Sequence, residues 1–275
     1  MMLNGRSRRL VARNLLRYEN YLALVRMCRV CEHPIASGRR YFLGSGTYPV
    51  VVGIRTPVGV QRVTLFGPHD AMTAHEIFCR EDYRTPLAPR IAVDFGSNIG
   101  LSALYFLTRS DTTVCELYEP DPRNVEKLRI NLRGFESRYT LHESAVGPAA
   151  GVAPFATDLT GRYGTLDQSS WVFEHARRAS GAPTDRVGPA PVIDVKVEGV
   201  NDVLGEVLDR RASIDLLKID TEGTEFDIVR AVDPVILARI DRIVMESFDS
   251  SVSLPRFKAR FSCDTVTLVN EDRKE

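Results

Sequence analysis

Ile91-Ala-Val-Asp94-Phe-Gly96-Ser97-Asn98-Ile-Gly100-Leu-Ser constrains the fold more than any other stretch of this chain. An apolar run ends in an acidic residue, two glycines follow four positions apart, and an apolar segment of helical spacing comes next. That order predicts a buried strand, a tight turn and a helix N-terminus, the βα unit that opens many nucleotide-binding sheets. A G-x-G-x-x-G loop offers bare backbone amides to a pyrophosphate at the helix N-terminus. The spacing here is G-x-x-x-G, and Asp94 at the strand tip would repel a phosphate. A ligand with a positive end suits a carboxylate in that place.

The next predicted strand, Val114–Tyr118, runs into Glu119-Pro120-Asp121-Pro122. Glu119 lies 19 residues beyond Gly100, roughly the interval of ~20 residues at which a second-strand acid meets ribose hydroxyls. Asp94 alone has a plainer alternative as a strand-end turn acid, but Glu119 at this interval weighs against that. Together the two acids point to S-adenosylmethionine (AdoMet), which carries an ammonium and a sulfonium and no phosphate.

Apolar runs then alternate with helical segments. Strands are expected near 91–94, 114–119, 139–142, 193–197, 214–219 and 242–246, and helices near 99–108, 122–133, 200–208 and 224–231. Such alternation predicts an α/β fold, a mostly parallel sheet with helices on both faces. Phe257–Val269 is expected to add an antiparallel edge strand. Upstream, 48–54 and 60–65 read as a β-hairpin, and Asp70 as the N-cap of a helix holding Met72, Ile77 and Phe78. Residues 7–32 read as amphipathic helix with a basic face. The expected organisation is an N-terminal helical arm over 1–47 and one domain over 48–275. The Gly-, Ala-, Ser- and Arg-rich stretch 156–190 is expected to be a substrate lid with a short helix near Trp171–Arg178.

With 36 Lys+Arg against 36 Asp+Glu, the chain lacks the basic surplus of a protein whose main partner is nucleic acid. Five cysteines make no disulfide framework and point to a reducing compartment. No run approaches the ~18 apolar residues of a membrane span, and the basic start has no signal-peptide core. A cytoplasmic location is expected. The basic arm would permit peripheral contact with the inner face of a membrane, though packing on the domain or on a second copy in a homo-oligomer is the plainer reading.

Leu216-Leu-Lys218-Ile-Asp220-Thr221-Glu222-Gly223-Thr224-Glu225 is another strand–turn–helix junction. Ligands sit at the carboxyl ends of strands in open α/β sheets, so Asp220 and Glu222 are expected in the same crevice as Asp94 and Glu119. Two carboxylates at the tip of an apolar strand are costly unless they meet a ligand, a metal or donors. Glu225 has a duller reading, as an acid complementing a helix dipole.

These junctions, with Tyr118-Glu119-Pro120-Asp121, His69-Asp70-x-x-Thr73-x-x-Glu76-Ile-Phe78, Tyr83 and Ala145-Val-Gly147, resemble the FkbM-type family of AdoMet-dependent O-methyltransferases. The likeness spans roughly 48–248, and Lys-Ile-Asp-x-Glu-Gly is its most specific part. The resemblance implies a Rossmann-like class I methyltransferase fold and an acceptor hydroxyl on a sugar of a glycan, oligosaccharide or glycolipid, or else on a polyketide or other small molecule. It implies Asp94, Gly96, Ser97, Asn98 and Gly100 around the methionine part of AdoMet and Glu119, followed by Pro120, at the ribose. Ser144 and Ala145 would lie by the adenine, with Asp70, Thr73 and Tyr83 bordering the cofactor.

A hydroxyl is a poor nucleophile until its proton leaves, so a general base is expected. Asp220 and Glu222 are the first candidates and His69 the third; Glu246, ending Arg242-Ile-Val-Met-Glu246, would orient the acceptor. The alternative gives Asp220, Glu222 and Glu246 to a Mg²⁺ ion, which prefers oxygen ligands; no metal site is favoured. His142 reads as a satisfied strand residue. Cys28-x-x-Cys31-x-His33 invites a zinc reading, but no second pair stands at zinc-finger spacing. The rival functions are an NAD(P)-dependent oxidoreductase, disfavoured by the glycine spacing, a nucleic-acid methyltransferase, which would carry Asn/Asp-Pro-Pro-Tyr/Phe in place of Asp220-Thr-Glu-Gly, and a non-catalytic partner subunit.

Overall fold

The computed structural model describes residues 18–157, 164–166, 192–246, 253–262 and 265–273. The chain divides into two compact units, one running to Pro86 and taking in Thr108–Asp111, the other comprising Leu87–Leu107 and Thr112 onward. The hairpin falls in the first unit with the N-terminal helices.

In the first unit, α1 (Tyr18–Val30) is followed by α2 (Pro34–Leu43). Pro34 sits at the first turn of α2, where its missing N–H would be unsatisfied anyway. Gly44 ends the helix in the left-handed conformation, its N–H donating to Arg40 O at 3.0 Å. The hairpin pairs β1 (Val50–Thr56) with β2 (Gly59–Leu65) in the register Val52↔Val63. In α3 (Pro68–His75) the N-cap is Gly67, and Asp70 is its third residue rather than the cap itself. Asp70 Oδ2 reaches back to accept from Phe66 N at 2.6 Å and Gly67 N at 2.9 Å, half of a capping box. α3 continues into a single π turn, Glu76–Arg80.

The second unit is built on a seven-stranded sheet. Its central parallel strands, in spatial order, are β11 (Arg242–Glu246), β10 (Leu216–Ile219), β3 (Ile91–Phe95), β4 (Val114–Tyr118) and β5 (Tyr139–His142). The end reads as two antiparallel strands rather than one, β12 (Phe257–Ser262) and β13 (Thr265–Asn270), with β13 against β11. Helices α4 (Leu101–Leu107), α5 (Pro122–Asn131), α6 (Val200–Arg210), α7 (Glu225–Ala231) and α8 (Pro234–Leu237) make the connections. The layering is the Rossmann-like α/β arrangement the alternation predicts. Val93, Phe95, Leu217, Ile219, Ile243 and Met245 are fully buried in one cluster.

One predicted strand is placed differently. Residues 193–197 belong to β9 (Val192–Gly199), which lies in a second sheet ordered β6-β9-β7-β8. Its partners are β6 (Ala145–Gly147), parallel, and β7 (Gly151–Thr157), antiparallel; β8 is Gly164–Thr165. Val195 and Val197 are buried while Asp194 and Lys196 are exposed, the alternation of a strand covered on one face. The 156–190 stretch, with its expected lid and the helix near Trp171–Arg178, falls mostly outside the described residues, as do 1–17. No helix among the described residues is long and apolar enough to cross a membrane.

Candidate active site

The chain runs from β3 outward to β4 and β5, then returns to β10 on the other side of β3. Such a switch point opens a crevice at the strand ends. A cleft lies there, walled by Gly96, Asn98, Glu119 and Pro120 on one side and Asp220, Thr221 and Glu222 on another. Ala145, Val146, Phe155, Gly164 and Leu166 of the small sheet close it, with Tyr118 and Asn124 at its base.

Gly96 brings the two strand tips together. Its φ is +81°, and a Cβ there would sit 1.9 Å from Asp220 O, so only glycine allows this approach. Asn98 (φ 48°) and Glu222 (φ 57°) also adopt the left-handed conformation, which non-glycine residues hold at functional sites when surrounding structure enforces it. At Asn98 the N–H donates to Glu119 Oε2 at 2.7 Å. Glu119 is buried, and its other oxygen accepts from Asp121 N at 2.9 Å. Burial pushes the Glu119 carboxyl up to about 7, against the lowering effect of those two N–H groups.

Asp94, expected to face a ligand, does not line the cleft. It is fully buried, accepting from Lys218 Nζ at 2.9 Å through Oδ1 and from Ser102 Oγ at 2.5 Å through Oδ2. Lys218 ends 2% exposed, donating also to Gly96 O at 3.0 Å and lying 3.3 Å from Asp220 Oδ2. Burial alone would depress the ammonium, but Asp94 and Asp220 hold it above the ordinary lysine range. An unpaired buried carboxylate is too costly to keep, so the strand-tip acid is tied to a neighbouring strand. The acidic groups left facing the cleft are Glu119, Asp220 and Glu222, and none of the described residues lining it is Lys, Arg or His.

Three further expected contacts stand behind the wall. Ser97 is buried, its Oγ donating to Asp94 O at 3.0 Å. Gly100 packs where a Cβ would meet Leu128 and Leu132 at 3.1 and 3.3 Å. Ser144 is buried and donates to Glu198 Oε1 at 2.6 Å. His69, Asp70, Thr73 and Tyr83 belong to the first unit; Asp70 caps α3, and Thr73 Oγ1 donates to His69 O at 3.3 Å. Glu225 is spent on its own turn, accepting from Thr221 N and Gly223 N. His142 stacks on Tyr118 with centroids 4.4 Å apart and contacts Glu116 Oε2 at 3.1 Å, a satisfied strand residue.

Carboxylate oxygens of Asp220, Glu222 and Glu246 lie within 4.8 Å of one another. Such a group can accept a proton, or hold a cation by oxygen ligands alone. Cys28 is exposed and Cys31 turns away to Cys79, and no cysteine-containing metal cluster occurs among the described residues. Sequence reasoning missed Lys218 as the partner of Asp94, and missed Phe155 and Leu166. The first could have been suspected from a lysine in an otherwise apolar strand, which must find an anion.

The methyltransferase FkbM domain matches residues 94–259, more than half of the chain. Methyltransferase sdnD of Sordaria araneosa is 30% identical over 219 residues, covering 73% of this chain and 83% of that protein. Methyltransferase 1 of Beauveria bassiana (strain ARSEF 2860) is 26% identical over 191 residues, covering 64% and 72%. The crystal structure of methyltransferase FkbM from Methylobacillus flagellatus KT aligns at 16% identity with a TM-score of 0.45, over 71% of this chain but only 47% of that one.

Proposed function

The chain belongs to the FkbM methyltransferase family, and from that premise we propose that it moves a methyl group from AdoMet to a hydroxyl oxygen of a saccharide, as glycan, oligosaccharide or glycolipid. The observation that carries the donor is the cleft wall: three carboxylates, Glu119, Asp220 and Glu222, and no basic side chain among its described residues. That field favours a cation and opposes a phosphate, so the residues present fit AdoMet and not a dinucleotide. These three acids, and not Asp94, line the cleft.

When bound, AdoMet supplies a methyl carbon made electrophilic by its sulfonium. Glu119 keeps acceptor capacity beyond its two backbone donors for ribose hydroxyls. Ala145, Val146, Phe155 and Leu166 give the apolar side against which an adenine would lie. Asp220 or Glu222 takes the acceptor's hydroxyl proton, so the oxygen lone pair attacks as the alcohol is deprotonated. Positioning supplies up to ~7–11 kcal/mol of the barrier reduction, and the base roughly 10²–10⁴-fold in rate. Lys218 fixes Asp220 from behind. Glu246, beside both acids, orients the acceptor.

The test is mass spectrometry of candidate glycans and glycolipids incubated with the protein and isotopically labelled AdoMet. A labelled methyl on one sugar oxygen supports the reading. Transfer only to a polyketide or another small-molecule hydroxyl would replace the acceptor class, and calorimetry showing no uptake of AdoMet would overturn the donor. The carboxylate triangle favours a second reading, in which Asp220, Glu222 and Glu246 hold Mg²⁺ that polarises the hydroxyl. Turnover abolished by a chelator and restored by Mg²⁺ would select it.

A further inference from the structure

Outside the cleft, the most unusual chemistry lies in the first unit, where two cysteines distant in sequence meet. Cys31 follows the end of α1, its N–H donating to Met27 O at 2.9 Å and its backbone bridging to Ile54 of β1. Cys79 lies in the π turn and is 2% exposed. Both side chains line one small cavity and pack in one apolar cluster. Neither is in a disulfide.

The surroundings distinguish the two sulfurs. Ser37 lines the same cavity, its hydroxyl favouring the Cys31 thiolate. The Arg55 guanidinium is held beside it, Nη1 donating to Cys31 O at 2.8 Å and to Arg29 O at 3.3 Å. Positive charge and converging donors favour a thiolate. Cys31 is half-buried, whereas Cys79 is buried in apolar packing with Ala23 and Met27. Cys28 is exposed on α1, and the Cys115 thiol is buried and pushed up by burial.

We infer that Cys31 and Cys79 are a hydroperoxide-reactive dithiol, Cys31 the attacking sulfur and Cys79 the resolving one. The Cys31 thiolate displaces hydroxide or alkoxide from the peroxide O–O bond and becomes a sulfenic acid. The Cys79 sulfur then attacks the Cys31 sulfur, water leaves, and a disulfide forms. The dithiol loses two electrons and two protons, and the hydroperoxide is reduced to water and water or alcohol. The disulfide fastens the end of α1 to the π turn. The inference is independent of the methyl-transfer reading.

The Cys79 S–H hydrogen bond, opposed by burial and reinforced by Ser37 and Arg55, brings the Cys31 thiol down to about 7. The same contact, with burial, pushes the Cys79 thiol well above its ordinary range. The experiment treats the full chain with hydrogen peroxide and maps peptides without reduction. A Cys31–Cys79 cross-link, reversed by dithiothreitol, is expected before oxidation of Cys28 or Cys115. Cys31→Ser should abolish it. Cys79→Ser should leave a Cys31 sulfenic acid that dimedone captures, and far-UV circular dichroism checks that both variants fold. Iodoacetamide labelling of Cys31 should follow a pH profile centred near 7, moving upward in Ser37→Ala. A Cys28–Cys31 cross-link, no cross-link in wild-type protein, or a Cys31 profile centred near the ~8.5 of a free thiol would each overturn it.

Discussion

Replacing Lys218 with methionine keeps most of the side-chain volume and removes one charge from between two carboxylates. In the native protein Lys218 Nζ lies 2.9 Å from Asp94 Oδ1 and 3.3 Å from Asp220 Oδ2, with Asp94 fully buried. At an effective dielectric of about 20 the nearer contact is worth on the order of 6 kcal/mol, much of it offset by desolvating both ions. The variant loses the attraction and keeps the desolvated Asp94 anion, so the expected loss is about 3–5 kcal/mol. At roughly 2–4 °C per kcal/mol for a protein of this size, the melting temperature should fall on the order of 10 °C. Thermal unfolding followed by far-UV circular dichroism at pH 8 measures this. Asp94→Asn in the same background should recover most of the loss, since it removes the stranded charge. A loss under about 1 kcal/mol, well below that of a broken buried pair, or a double variant no more stable than the single one, would refute the reasoning.

Asp220→Asn and Glu222→Gln should each lower turnover about 10²–10⁴-fold, and each should also weaken AdoMet binding by calorimetry, because it removes one of the carboxylates that face the cation. Gly96→Ala should sharply reduce soluble folded protein and AdoMet binding, because its Cβ would sit 1.9 Å from Asp220 O at a positive φ; a normal melting curve would contradict the packing. AdoMet affinity should weaken as pH falls below about 7, because burial raises the Glu119 carboxyl to that value and the protonated form gives up acceptor capacity. Above about 7 the affinity should level off, and a flat profile down to pH 5.5 would remove Glu119 from the ribose role.

The central sheet was legible because its strands are continuous apolar runs ending in acids, as in Ile91–Asp94 and Leu216–Asp220. Glu119, Asp220 and Glu222 were placed by their position at strand ends, which topology alone brings to one crevice. The Lys218 partner of Asp94 is not legible locally, because spacing says where a carboxylate begins and not what sits opposite; the two are 124 residues apart. The second sheet was missed because β9 was counted as a core strand, although Val-Ile-Asp-Val-Lys-Val alternates in the manner of a half-exposed one. Phe155 has no local mark at all. Its role depends on Gly164, where a Cβ would meet the ring at 2.2 Å.

His142 ends the large sheet, and Ala145, three residues on, begins the small one. The carboxylates and the apolar wall therefore rest on separate hydrogen-bond ladders. Ala145 and Phe155 sit with Val195 and Val197 in the small sheet's own apolar cluster, whereas Val146 packs into the core of the large sheet in one cluster with Tyr118. Of the apolar wall, Ala145 and Phe155 are therefore the positions least tied to the strands that carry Glu119 and Asp220.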